Sequence, residues 1–313
     1  MTAIQISSNS GLIKRINEIE HLIGNTPLLE IRNAYRKRGV RIFAKLEWQQ
    51  LGNSVKARPA FNIFKQAILN GKIKAGMHLL DATSGNTGIA YASIGAALGV
   101  NVTLCLPENA SQERKLILKS LGTNITYTSR FEATDGSQVK ALEMKDALPE
   151  QYYYADQYAN DNNWKAHYYT TAEEIYQQTN GTVTHFVAGL GTTGTFVGTS
   201  RKLQLLNPNI QTVSLQPELA LHGMEGWKHL ETAKVPKIYD SSIANQNLTV
   251  DTMESYEWIK RFARKEGILL SPSAAANLAG AVKVAEQIEE GVIVTVFPDN
   301  ADKYGEVLKH IFG

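Results

Sequence analysis

A lysine and two loops of small residues are the groups in this sequence that could carry chemistry. The segment TSGNTG at 83–88 follows an apolar run at 78–82 and precedes an alanine-rich helical pattern. A loop of this kind between a strand and a helix presents backbone N–H groups, hydroxyls and the positive end of the helix dipole. It therefore predicts a binding site for a carboxylate or a phosphate.

Lys56 follows GNSV at 52–55, at the start of a second helical pattern. Such a lysine is most often an exposed surface residue, but the positive end of a helix disfavours its ammonium form and so favours a neutral, nucleophilic amine. A third segment, GLGTTGT at 189–195, again joins a strand-like run to a helical pattern. A reactive lysine, a carboxylate loop and a phosphate loop are the parts that a pyridoxal-phosphate (PLP) enzyme needs.

The glycines at 189–194 also fit a different cofactor. They spell G-x-G-x-x-G after a strand, the pattern of dinucleotide-binding loops, although plain strand-to-helix turns produce it as well. Glu218 follows the next strand-like run at a suitable distance for a ribose contact. An NAD-dependent oxidoreductase is therefore the last of the alternative hypotheses, and absence of nicotinamide binding would exclude it.

Composition and charge exclude several other classes. The 313 residues carry a net charge of +2, and no basic stretch interleaved with aromatic residues suggests nucleic acid. No apolar run approaches the ~20 residues that span a bilayer, and the first residues lack the order of a signal peptide. The single Cys105 cannot form an internal disulfide, which favours a reducing cytoplasm. None of the seven histidines has zinc-like spacing, so no metal site is predicted.

Short apolar runs alternate with longer helical patterns along the chain. This alternation predicts an α/β protein with two domains, each a mostly parallel twisted sheet covered by helices. We place the domains at 1–157 and 158–313, with the segment before residue 40 free to pack on the second. Ligands of such sheets bind at the carboxyl ends of the strands, where all three segments fall. The predicted strands are 42–46, 78–82, 101–106, 125–128, 152–156, 185–188, 212–215 and 292–297.

The order of the motifs resembles that of the cysteine synthases, a group of the fold-type-II PLP enzymes with a tryptophan synthase β-like fold. Within that group it resembles the B type, which includes O-acetylserine and O-phosphoserine sulfhydrylases. The resemblance covers nearly the whole chain, and GTTGT at 191–195 is similar to the B type. The segments that carry it are GNTPL at 24–28, SVK at 54–56 with Arg58, TSGNTGIA at 83–90, PENASQERK at 107–115, the stretch 167–179, THFVAGLGTTGT at 184–195, LQPE at 215–218 and EGI at 266–268.

This resemblance implies a ping-pong β-replacement on an activated serine. Lys56 would hold PLP as a Schiff base and, once released, remove the α-proton of the substrate. Loss of acetate or phosphate would leave an α-aminoacrylate intermediate, to which a sulfur nucleophile adds to give L-cysteine. The implied partners are the amino-acid substrate, a sulfide-type donor and a second copy of the chain in a homodimer.

The resemblance also assigns the other site residues. Ser273 would face the ring nitrogen of PLP, with Ser271 as the alternative, and Ser273 also fits an N-cap of the helix that follows. A neutral hydroxyl there favours elimination over transamination, because it does not keep the ring nitrogen protonated. The implied cofactor ligands are Lys56, Asn86, Gly191, Thr192, Thr193, Gly194, Thr195 and Ser273. The implied substrate ligands are Thr83, Ser84, Gly85, Asn86, Thr87 and Gln157, the last of which could also be a surface loop residue.

Two departures from the family pattern keep other hypotheses open. Ala57 stands where the family usually has Asp, and Ala274-Ala275 stand where it usually has Ser or Thr and then Gly. A non-catalytic relative that binds PLP or a ligand is therefore one alternative. Another is the same half-reaction with an amine or thiosulfate as nucleophile. The loop 221–229 contains two histidines and a lysine that could receive a phosphate, but it also fits an exposed loop.

Overall fold

The computed structural model describes residues 9–83, 85–131 and 133–313. Within them strands and helices alternate as the sequence predicts, and all eight predicted strands are present, with ends that differ by two residues at most. The strands are β1 Leu28–Ile31, β2 Val40–Leu46, β3 His78–Ala82, β4 Asn101–Pro107, β5 Asn124–Thr128, β6 Tyr152–Tyr154, β7 His185–Gly189, β8 Gln211–Pro217, β9 Gln246–Val250 and β10 Gly291–Phe297. The helices are α1 Asn9–Ile19, α2 Ala57–Leu69, α3 Asn86–Leu98, α4 Gln112–Ser120, α5 Ala133–Ala147, α6 Asp161–Tyr169, α7 Thr171–Gln178, α8 Gly194–Leu206, α9 Thr252–Glu266, α10 Pro272–Gln287 and α11 Gly305–Phe312.

The chain divides into two units, each with its own sheet. Unit 1 comprises the chain up to Gly24 together with Gln50–Asn163, and unit 2 comprises Asn25–Gln49 together with Trp164–Gly313. The prediction divides the chain at residue 157, whereas the structure does so after Asn163. The early segment Asn25–Gln49 lies with unit 2 because β2 pairs with β10 along its whole length.

Unit 1 contains a four-stranded sheet in the order β5-β4-β3-β6, and all of its pairs are parallel. Helix α3 is buried along most of its length, which fits its nearly all-apolar sequence. At Gly95 of this helix a Cβ atom would come within 2.8 Å of the Val100 carbonyl oxygen, so only glycine allows so close a turn into β4. The loop 83–88 between β3 and α3 therefore lies at the carboxyl edge of the sheet.

Unit 2 contains a six-stranded sheet in the order β1-β2-β10-β7-β8-β9. All pairs are parallel except β1 with β2, which are antiparallel. The sequence analysis missed β1 and β9, which form the two edges of this sheet and are only partly buried. Because β7 lies inside the sheet, the loop 189–195 that follows it leaves from a central carboxyl edge.

Neither a membrane span nor a metal cluster is found in the part of the chain that the structure describes. No helix there has the length and apolar character needed to cross a bilayer. No group of three His, Cys, Asp or Glu side chains gathers there as a metal ion would require.

Candidate active site

Lys56 occupies the N-cap position of α2 in unit 1. Its backbone N–H donates to the Ser54 hydroxyl at 3.3 Å, and its carbonyl accepts the N–H of Ala60 at 3.1 Å. The lysine therefore lies at the positive end of a 13-residue helix, as the sequence predicts. This position favours loss of the ammonium proton.

Ala57, the first departure from the family pattern, is completely buried. A carboxylate at this position would lie inside unit 1, where an unpaired charge is costly. Arg58, the next residue, is also buried, with 1 % of its surface exposed. The small side chain at 57 thus fits the packing at the start of α2.

The loop 83–88 forms the N-terminus of α3. The Thr83 N–H donates to the carbonyl of Cys105 at 3.1 Å, and Gly85 is the N-cap residue, with no side chain capping the helix. A Cβ atom at Gly88 would lie 2.9 Å from the side chain of Leu104, so glycine is needed for close packing on β4. Asn86 and Thr87 begin the helix, whereas Ser84 lies outside the described residues. An uncapped helix start of this kind suits an anion.

Gln157 lies against this loop and is not a surface residue. Only 3 % of its surface is exposed, and its Oε1 accepts a hydrogen bond from the Thr87 hydroxyl at 2.8 Å. The side chain of Asn163, which the sequence analysis missed, donates to the Gln157 carbonyl at 2.7 Å. The surface-loop alternative for Gln157 is therefore wrong, and unit 1 brings Gln157 and Thr87 together.

In unit 2 the loop 189–195 has the features of a phosphate cradle. Thr193 is the N-cap residue of α8 and adopts a left-handed conformation, with φ 71° and no side-chain cap on the helix. Among the described residues, its buried hydroxyl has no hydrogen-bond partner. At Gly191 a Cβ atom would lie 2.1 Å from the Gly226 carbonyl oxygen, so the backbone is very close here. A buried unpaired hydroxyl at an uncapped helix start fits the phosphate of PLP.

Two residues that the sequence analysis missed hold this loop in place. The Asn277 side chain accepts the Gly189 N–H at 2.8 Å and donates to the Val296 carbonyl at 2.7 Å. The ring of Trp227 covers Gly189 so closely that a Cβ atom there would lie 2.0 Å from it. A single asparagine in an alanine-rich helix was a signal for the first contact, but nothing in the sequence pointed to the second.

The two serines at the start of α10 have different roles, and one of these roles differs from the prediction. Ser271, not Ser273, caps the helix, because its hydroxyl accepts the Ala274 N–H at 3.2 Å and Pro272 takes the first helical position. The Ser273 hydroxyl lies 3.3 Å from that of Ser271 in a buried position. The N-cap interpretation of Ser273 is thus wrong, and its hydroxyl is not used by the cap. The second departure, Ala274-Ala275, is fully buried.

The loop 221–229 is partly anchored and partly exposed. The Lys228 N–H donates to the Leu190 carbonyl at 2.7 Å, whereas Leu221 is 94 % exposed. Burial, together with the nearby His229, lowers the pKa of His222. The lowered pKa disfavours the charged form of His222, which weakens the case for this loop as a phosphate site.

Comparisons with known proteins agree with this geometry. A family model described as "Pyridoxal-phosphate dependent enzyme" matches residues 19–299. The chain is 46% identical to a cysteine synthase of Aquifex aeolicus over 290 residues, covering 90% of the chain and 89% of that protein. It is 36% identical to cysteine synthase B of Pseudomonas aeruginosa over 290 residues, covering 91% of the chain and 95% of that protein.

Two further similar proteins are named for cystathionine synthesis and for cysteine synthesis. The chain is 35% identical to an O-acetylserine dependent cystathionine beta-synthase of Bacillus subtilis, covering 92% of the chain and 96% of that protein. Among solved structures, a cysteine synthase of Entamoeba histolytica superposes with a TM-score of 0.88 at 31% identity, covering 94% of the chain and 90% of that structure.

Proposed function

Since the chain belongs to the pyridoxal-phosphate dependent enzymes and, within them, to the cysteine synthase group, we propose that it converts O-acetylserine and sulfide into L-cysteine. The observation that supports this most directly is the buried, unpartnered Thr193 hydroxyl at the uncapped start of α8. A phosphate group satisfies both features at once.

Bound PLP supplies the electron sink that lets the Cα–H and Cβ–O bonds of the substrate break. Lys56 is proposed to hold the cofactor covalently through Nζ, and the freed Nζ then accepts the α-proton. Its place at the positive end of α2 favours the neutral form of this amine, which both roles need.

The substrate carboxylate is assigned to the start of α3 in unit 1. The proposed ligands each offer a hydroxyl, a side-chain amide or a backbone N–H to the carboxylate. They are Thr83, Ser84, Gly85, Asn86, Thr87 and Gln157. The hydrogen bond between Gln157 and Thr87 supports this assignment, because it places a second polar side chain beside the start of α3.

The remaining cofactor contacts are assigned to unit 2. Gly191, Thr192, Thr193, Gly194 and Thr195 are proposed to bind the phosphate, and Ser273 to face the ring nitrogen. This assignment of Ser273 is supported by the finding that Ser271 caps α10, so that the cap does not use the Ser273 hydroxyl. Its neutral hydroxyl leaves the ring nitrogen unprotonated, which favours expulsion of the leaving group from Cβ.

The acetyl ester is the proposed substrate rather than the phosphate ester. The lowered pKa of His222 makes the loop 221–229 a weaker site for a phosphate than its sequence suggests, and the Bacillus subtilis relative is named for O-acetylserine. Formation of cystathionine from O-acetylserine and a larger thiol is the second candidate, because the Bacillus subtilis relative is named for it. The homodimer and the cytoplasmic location stay predictions from the sequence.

A competition assay tests the proposal. The PLP-loaded protein is given O-acetylserine with equal concentrations of sulfide, homocysteine, thiosulfate and a simple amine, and the products are identified by mass spectrometry. L-cysteine should predominate, and the Lys56→Ala variant should form none. Exclusive formation of another product would show that a different nucleophile, and not sulfide, is used. Absence of product with all four nucleophiles would overturn the proposal.

A further inference from the structure

A buried carboxylic acid lies directly behind the loop assigned to the substrate carboxylate. Asp81 is the fourth residue of β3, two residues before Thr83, and only 1 % of its surface is exposed. No step of the proposed reaction uses it. A carboxyl group so far from water is costly when ionised, so its retention at this place calls for an explanation.

Asp81 bonds to the backbone next to the site. Its Oδ1 accepts the Ala82 N–H at 2.8 Å, and the backbone N–H of Gln157 lies near enough to lower the pKa of the carboxyl. Gln157 in turn accepts from Thr87 at 2.8 Å. Asp81 is therefore bonded to the chain just before Thr83 and lies beside the segment that contains Gln157.

The surroundings of Asp81 favour its protonated form. The Tyr91 hydroxyl lies beside the carboxyl, but neither it nor Oδ2 makes a well-aligned hydrogen bond within the described residues. Burial raises the pKa of Asp81 to about 7, with Asp156 adding to the rise, against the effect of the backbone N–H groups. The titratable groups that face the cluster are Tyr91 of α3, Cys105 of β4, Tyr153 and Tyr154 of β6, Asp156 and Tyr158 after β6, and Asp135 and Lys140 of α5.

We propose that Asp81 is a positioning residue for substrate binding, and that the amino acid binds better while Asp81 keeps its proton. Protonated, the carboxyl still accepts the Ala82 N–H and adds no charge. Ionised, it places a negative charge behind the loop that receives the substrate carboxylate. This inference rests on the proposed function, because it takes the loop 83–88 to be the carboxylate site.

The size of the effect follows from the repulsion of two carboxylates. Two like unit charges about 10 Å apart, at an effective dielectric constant of about 20, repel each other enough to weaken binding roughly tenfold, and this sets the order of magnitude. We therefore expect the KM for O-acetylserine to rise about tenfold more in the wild type than in Asp81→Asn between pH 6 and pH 8.5. The kcat ratio of the two proteins should stay constant, since Asp81 touches no reacting atom.

The experiment compares wild type, Asp81→Asn and Asp156→Asn at saturating sulfide. Titration of the substrate's own amino group cancels in the ratio of KM values, because all three proteins receive the same substrate. Asp156→Asn is the matched control: it removes a neighbouring carboxylate, and asparagine tolerates the φ of 44° at this position. Because Asp156 adds to the rise in the pKa of Asp81, this variant should keep a pH-dependent KM, with the midpoint moved to lower pH. A KM ratio of wild type to Asp81→Asn that is flat with pH would overturn the inference.

A binding measurement separates this outcome from failure of the proposed function. The dissociation constant of L-serine, which has the same carboxylate but a poor leaving group, is read from the absorbance of the PLP-loaded protein across the same pH range. Absence of product from O-acetylserine would refute the proposed function alone. L-serine binding that weakens with pH in the wild type and not in Asp81→Asn supports the role of Asp81, and equal pH dependence in both refutes it.

Discussion

Replacement of Gly191 by alanine tests whether PLP binding depends on the close approach of two backbone segments in the loop 189–195. The new Cβ atom would lie 2.1 Å from the Gly226 carbonyl oxygen, whereas ordinary contacts begin near 3.4 Å. One backbone must therefore move by about 1 Å. Neither moves freely, because Leu190 donates to the Leu215 carbonyl at 2.9 Å and accepts from the Lys228 N–H at 2.7 Å.

A displacement of this size should damage PLP binding more than folding. A misplacement of about 1 Å in a binding site costs on the order of 100-fold, and overpacking costs about 1–3 kcal/mol of unfolding free energy. We expect the dissociation constant of PLP, measured by absorbance titration of the apoprotein, to rise by roughly 100-fold. Urea unfolding gives the stability change separately.

Gly305→Ala is the control for this prediction. A Cβ atom there meets nothing within 4 Å, and the residue begins α11. This variant should bind PLP as the wild type does. If Gly191→Ala also bound PLP within threefold of the wild type, the loop 189–195 would not be the phosphate site, or its backbone would not be rigid.

Three further predictions concern unfolding free energy, measured in urea. Thr193→Gly should stabilise the fold by about 1 kcal/mol, because glycine adopts the left-handed conformation without the strain of a β-branched residue. The same variant should bind PLP more weakly, because the hydroxyl is lost. Unchanged stability would show that Thr193 is not strained. The pKa of Asp81 is raised from 3.8 to about 7, so its proton stabilises the fold below pH ~4 and this contribution is lost as pH rises through 7. Asp81→Asn should therefore gain on the order of 4 kcal/mol over the wild type across that range, and a constant difference between the two would refute the shift. Glu174→Gln should lose about 3 kcal/mol of unfolding free energy, because it removes the carboxylate that lies 2.6 Å from the fully buried Lys45 ammonium. Glu143→Gln, in an exposed pair, should change little.

The strands and the loops after them could be predicted because their signals are local. Short apolar runs bounded by glycine and small polar residues predicted β3 and β7, and Lys56 begins α2 where the pattern indicates. The edge strand β1 escaped prediction because it is short and half-exposed, and its antiparallel pairing leaves no helical crossover to announce it.

The supporting residues could not be predicted because their contacts join distant parts of the chain. Trp227 covers Gly189 from 38 positions away, and Asn277 reaches the same glycine from 88 positions away. In the sequence Asp81 lies inside the largely apolar run 78–82, and nothing marks it as a residue near a site. Its buried environment comes from α3 and from the residues after β6, which only the folded chain brings together.

The visible absorption spectrum of the PLP-loaded protein tests the central claim most directly. It is recorded during separate additions of O-acetylserine and O-phosphoserine, and sulfide is then added and the product identified. The proposed function predicts that O-acetylserine shifts the cofactor band, that sulfide restores it, and that L-cysteine appears. A protein that takes up no PLP, or whose cofactor band neither ester moves, would contradict it.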